Sequence, residues 1–148
     1  MAIEILNRQR RLRVDKADVA RLVRAVLDME HSFCDVSIAF VSRRSIVDLN
    51  SRYFGRGEAT DVIAFPLRDT TDGGCYLGEV VVCADVAAAE AATRGIDSRN
   101  ELYFYTIHGL LHLLGYTDQA PRKRTAMNAR ARAILRAFNR RAGTTGER

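Results

Sequence analysis

His108 and His112 stand four residues apart in the run HGLLHLLGYTD, a spacing that sets two imidazoles on one helix face, one turn apart. So placed, they can share a divalent metal ion. A third ligand is expected from Asp118, because the chain can reverse after Gly115 and bring that carboxylate to the open side of the metal. A carboxylate oxygen is an acceptable third zinc ligand, and a fourth position left to water marks a catalytic rather than a structural site. The plainer reading is a pair of core histidines satisfied by hydrogen bonds. It is disfavoured because two adjacent buried imidazoles each need a partner and repel one another when protonated. Asp118 taken alone would equally suit a turn or the cap of the next helix. The other histidine, His31, reads as a surface or loop residue and is the first replacement should Asp118 fail. The chemistry expected is hydrolysis assisted by one metal ion per chain, Zn2+ first and another divalent ion second. Helix-borne metalloproteases of the HExxH type carry their general base directly after the first histidine. Here that position is Gly109, so a peptide substrate is disfavoured.

These residues must be held by a helix that crosses the interior. From Leu102 to Leu114 the chain is apolar on every side except at Thr106, Gly109 and the two histidines, the pattern of a buried helix. Ser98 with Glu101 three residues on resembles a capping box at its start, and Gly115 ends it. Upstream, Asp15 to Glu30 carries Val19, Leu22, Val23, Val26 and Leu27 at helical spacing, with Asp15 as N-cap. Residues 34–42 read as a strand, 45–53 as a short helix, and FGRGEAT as a glycine-bearing loop. Two strands, 61–67 and 76–84, are separated by the turn-rich DTTDGG, and their continuous apolar character suggests burial on both faces. Asp85 begins an alanine-rich helix that stops near Gly95, and a final arginine-rich helix begins around Pro121. One domain is expected over residues 1–141, α+β with a small mixed sheet and a central buried metal-binding helix, followed by a disordered tail over 142–148.

A chain of 148 residues with 47% hydrophobic content suits one core and is too short for two ordinary domains. No apolar run is long enough to span a bilayer and MAIEILNRQRR lacks the zones of a signal peptide, so a cytoplasmic location is expected. The cysteines, Cys34, Cys75 and Cys83, are odd in number and form no CxxC pair, from which neither disulfides nor cysteine-ligated zinc are expected. The formal charge of +5 points toward a polyanionic partner. Only Lys16 and Lys123 are lysines, an arginine bias that coding preference explains as well as phosphate recognition does.

HGLLHLLGYTD resembles the metal-binding signature of the YbeY family of bacterial endoribonucleases, usually written HGxLHLxGYDH. TDVIAFP at 60–66, LGEVVVCADVAAAEA at 77–91 and LNSRYF at 49–54 are similar to further family segments in the same order. The resemblance implies a zincin-like α+β fold and a single-strand-specific metalloribonuclease of small-subunit rRNA maturation and ribosome quality control. It implies partners to match: single-stranded RNA, above all rRNA, and the ribosomal small subunit, with no DNA and no membrane. The pattern departs in three places. The family's third metal-binding histidine falls at Asp118, with Thr117 where an aspartate stands; a catalytic arginine falls at Phe54; and a proline falls at Ala59. A carboxylate in place of an imidazole lowers the net charge at the metal and weakens its Lewis acidity. Losing an arginine beside a phosphodiester removes a cation that stabilises developing charge. Arg52 and Arg56 are the nearest candidates to supply it; Arg56, between Gly55 and Gly57, sits in a loop that could reach inward or, equally, could be an ordinary solvated arginine.

Arg122, Lys123, Arg124, Arg130, Arg132, Arg136 and Arg140 of the final helix offer further phosphate contacts or, equally, an ordinary solvated face. Asp61 and Glu79 could each orient a histidine or simply solvate a strand end. Two functions of different class remain: the metal-dependent endoribonuclease, and a metal-stabilised, ribosome-associated RNA-binding protein with weak or no catalysis, which Phe54 and Asp118 would permit. A hydrolase of another substrate using two histidines and one carboxylate with iron is the weaker third.

Overall fold

The computed structural model describes residues 2–69 and 74–146, with 68, 69 and 142–146 described as backbone only. The described elements run β1 (Ile3–Arg8), α1 (Lys16–Met29), β2 (Asp35–Val41), α2 (Arg43–Phe54), β3 (Val62–Asp69), β4 (Tyr76–Cys83), α3 (Ala84–Arg94), α4 (Ser98–Leu113) and α5 (Pro121–Gly146). The four strands form one mixed sheet in the order β1-β2-β4-β3, parallel between β1, β2 and β4 and antiparallel at the β3 edge. The α+β class with a small mixed sheet is as expected. The tail expected over 142–148 lies outside the described residues, apart from the helical backbone that continues to Gly146.

Side-chain alternation divides the sheet into two faces. Val80 and Val82 of β4 join α1, α4 and α5 in the larger core, whereas Val81 and Cys83 join Ala39, Val41, Ile46 and Ile63 in a smaller one. Burial of β4 on both faces explains its unbroken apolar run. α1 begins where Asp15 accepts the Asp18 amide, and Ser42 caps α2 by accepting from Ser45. α4 begins differently from expectation: its cap is Asp97, which accepts from the Arg99 amide at 2.9 Å. Glu101 is instead drawn into the protein, 5% exposed, and pairs with Arg94 at 3.2 Å.

β1 was not expected from the sequence. Its residues alternate only loosely between half-buried and exposed, and its order comes from pairing with a strand more than thirty positions away, Ile3 beside Val36 and Arg8 beside Val41. The expectation of no disulfide is also corrected, since Cys34 is bonded to Cys75. Parallel pairing of β2 with β4 sets Asp35 beside Tyr76, so the residues just before them are neighbours, and the Asp35 amide donates to the Cys75 carbonyl at 2.8 Å. A sequence separation of 41 hides this proximity, which only strand order creates. Cys83 is a free, buried thiol. Among the described residues no helix is long and apolar enough to cross a membrane.

Candidate metal centre and its cleft

α4 is pressed against the sheet closely enough that a side chain at one of its positions would force its neighbours to shift. A Cβ on Gly109 would lie 2.4 Å from Val80 Cγ1, far inside ordinary contact, and a tight 3.0 Å from Val62 Cγ2. The glycine that removes a protease-type glutamate is therefore what lets the helix sit on β3 and β4. That seating turns the stripe one residue away outward, and His108 and His112 emerge on it with ring centroids 5.2 Å apart. Gly115, at φ +106, then reverses the chain. Tyr116 fixes the reversal by donating from its hydroxyl to Glu30 at 2.8 Å, and Arg130 grips the same carboxylate at 2.8 and 3.0 Å.

Asp118 is thereby delivered to the histidines. One donor atom from each of His108, His112 and Asp118 lies within 4.8 Å of the others, and the His112 Nε2 to Asp118 Oδ2 separation is 3.6 Å. His108 Nε2 is buried without a hydrogen-bond partner, a costly state for an imidazole nitrogen unless a ligand uses its lone pair. Burial first, and the neighbouring His112 second, hold the His108 pKa below the ordinary imidazole value, against the opposing pull of Asp61 and Asp118. The neutral ring is the form that ligates metal. The three residues together form a group that could hold a metal ion, and the orphaned nitrogen is the observation that fits one.

A cleft of about 520 Å³ opens beside this group, lined by His112, Asp118, Phe54, Arg56, Thr60 and Asn50 among others. Arg56 reaches it because Gly55 caps α2 with a left-handed backbone and Asn50 Nδ2 holds the following loop by donating to the Glu58 carbonyl at 2.9 Å. Arg52 does not line the cleft; it pairs with Asp48 at 3.0 Å on an exposed face of α2. Phe54 stacks on Phe65 at 6.1 Å and forms an apolar wall. Asp61 stands near the metal group, with its carboxylate accepting from the Val62 amide at 2.7 Å. Glu79 shares the sheet face of Val81, opposite α4, so it cannot orient either histidine; burial raises its pKa there. His31 is exposed and has φ +57, the loop position expected of it.

On α5 the basic residues divide by partner. Arg130 is engaged by Glu30, and Arg124 Nε donates to the Asp118 carbonyl at 3.4 Å. Arg132 lies over the Phe104 ring, 5.0 Å from its centroid. Phe104 is the residue near the site that sequence reasoning overlooked. Its position four before His108 was the available signal, masked by the apolar run around it.

The family model described as Endoribonuclease YbeY matches residues 4–139 of the chain. A protein of Beutenbergia cavernae named Endoribonuclease YbeY is 36% identical over 147 residues, covering 93% of this chain and 97% of its own. One of the same name from Salinispora tropica is 34% identical over 149 residues, with 91% and 94% covered. The solution structure of a Thermotoga maritima protein aligns over 99% of both chains with a TM-score of 0.64 and 24% identity, a likeness of fold. With a match spanning nearly every element, and with two histidines and a carboxylate gathered where its motif predicts, the chain belongs to the YbeY endoribonuclease family.

Proposed function

We propose that the protein is a metal-dependent, single-strand-specific endoribonuclease that hydrolyses RNA phosphodiester bonds, acting on small-subunit rRNA in its maturation and in ribosome quality control. The observation that carries this reading is that His112 and Asp118, two of the three residues of the group that could hold a metal, line one cleft together with Arg56, so an ion held there and a cation able to meet a phosphate would face the same space. The two histidines and Asp118 would hold the ion, for which Zn2+ is the first candidate with this donor set. An ion held there would supply Lewis-acid polarisation of a phosphoryl oxygen and a more acidic bound water. Arg56 binds the phosphate and stabilises the charge that develops on it; Arg52, held by Asp48 outside the cleft, does not. Thr60 and Asn50 add polar groups to the wall, and Phe54, stacked on Phe65, adds an apolar one.

The test uses protein without a histidine tag, with bound metals measured by mass spectrometry in wild type, His112→Ala and Asp118→Ala. The same samples are assayed on a single-stranded RNA and its DNA counterpart, with and without chelator. Near one zinc per chain, lost in both variants together with RNA cleavage, supports the proposal. Metal bound with RNA intact would favour the alternative of a metal-stabilised RNA-binding protein with weak or no catalysis. Wild type that takes no metal even after reconstitution would end the reading altogether.

A further inference from the structure

The exposure of α4 follows a strict rhythm. Asn100, Phe104, His108 and His112 are half-buried, while every other residue from Glu101 to Leu113 is buried. Four-residue spacing makes these one stripe along the helix. The metal group uses the last two positions and gives no reason for a phenyl ring on the second. Phe104 opens instead into a second cleft, about 300 Å³, between α4 and α5, lined also by Arg132, Arg136, Asn100 and Asn139. Its ring lies 5.9 Å from that of His108 at an interplanar angle of 24°, so the cleft adjoins the metal group directly.

The lining has a recognisable chemical character. Arg94 is neutralised by Glu101, but among the described residues no carboxylate pairs with Arg132 or Arg136. Asn139 Nδ2 donates to Asn100 Oδ1 at 3.0 Å, which orders two amides at the cleft's edge. A flat aromatic face topped by a guanidinium, with a second guanidinium and amides beside it, is the equipment that binds an unstacked base and its phosphate. A purely apolar ligand would leave the arginines without purpose, and an acidic peptide would leave the ring without one.

We propose that the α4–α5 cleft is a nucleobase subsite, in which one base of the RNA strand inserts between the Phe104 ring and the exposed Arg132 guanidinium that lies over it, while Arg136 holds a flanking phosphate. The inference rests on the endoribonuclease reading and adds to it where the strand runs and why it must be single. One helical turn of about 5.4 Å separates Phe104 from His108, so the stacked base neighbours the phosphate presented to the metal group. A base within a duplex is stacked on both sides and cannot reach the ring. The preference for unpaired RNA is thereby located at Phe104.

Zinc-loaded full-length protein is mixed in a stopped-flow instrument with short single-stranded RNAs carrying 2-aminopurine at successive positions, and fluorescence is read before cleavage begins. Stacking on Phe104 should quench the probe at one register in wild type and not in Phe104→Leu, a variant that keeps apolar volume against the core. Replacing the quenched base by an abasic sugar should weaken wild-type binding about tenfold and leave Phe104→Leu unchanged. Arg132→Ala, on an exposed position, should weaken binding of the intact strand more than of the abasic one. Zinc content, measured alongside, should stay at the wild-type level in both variants. Metal-dependent cleavage with quenching and binding indifferent to both variants and to the abasic sugar would overturn the subsite and leave the enzyme standing. Register-specific quenching without any cleavage would do the reverse.

Discussion

Gly109 shows how one residue can serve the fold and constrain the chemistry together. Alanine there gains about 1 kcal/mol of helix propensity, yet its Cβ would be driven into Val80 and Val62. Because those side chains belong to the packed core, Gly109→Ala should lower stability by about 1–3 kcal/mol in chemical denaturation. A gain in stability instead would mean that α4 can lift from the sheet at no cost. Arg56 invites the complementary measurement. Arg56→Ala should reduce RNA turnover by roughly 100-fold, the loss typical of a donor to transition-state charge, with zinc content unaltered, whereas Arg52→Ala should change turnover little. At this scale the histidine pair was legible because helical spacing is a local property. Asp118 was legible only together with the turn at Gly115. The place of Arg56 beside the cleft was legible only in part: its flanking glycines allow the loop to turn inward, but the Asn50–Glu58 contact that sets the loop's path is announced by nothing in the order of residues.

Elements deliver these residues through contacts between distant segments. The turn that presents Asp118 is anchored by Tyr116 to Glu30, at the C-terminal end of α1, and Glu30 is also gripped by Arg130 of α5. Three elements thus meet on one carboxylate that lines no part of the metal cleft. Tyr116→Phe removes the hydroxyl while keeping the ring, and the looser turn should lower zinc affinity about tenfold, within the range seen when groups supporting metal ligands are lost. Competition with a chromogenic chelator measures it; an unchanged affinity would show that Arg124, holding the Asp118 carbonyl, suffices alone. The helices with apolar periodicity and the three strands over 34–42, 61–67 and 76–84 were readable to within a few positions. β1 and the Cys34–Cys75 bond were not, for a shared reason. Both depend on which strand lies beside β2, and strand order is a property of the assembled sheet.

Across the molecule, the β1-α1-β2 half is fastened to the helices that carry the site by polar contacts of long sequence range. Asp18, 6% exposed on α1, accepts from the Tyr103 hydroxyl at 2.5 Å and from Arg99 at 2.7 Å, both on α4, and pairs also with Arg21. Burial alone would raise its pKa, but the hydrogen bonds from Tyr103, Arg99 and Arg21 together outweigh that and hold it below the ordinary carboxylate value. A group whose folded pKa is depressed contributes stability that is present above its unfolded pKa, about 3.9, and lost as pH falls through the folded value. Asp18→Asn keeps an acceptor for Tyr103 and Arg99 but not the charge, and should cost about 1–3 kcal/mol near neutral pH. The difference between wild type and Asp18→Asn, followed by urea unfolding from pH 7 downward, should stay constant to about pH 5 and then shrink below about pH 4. A difference that persists undiminished into acid would mean that Asp18 joins the two halves by shape and hydrogen bonding, with its charge contributing nothing.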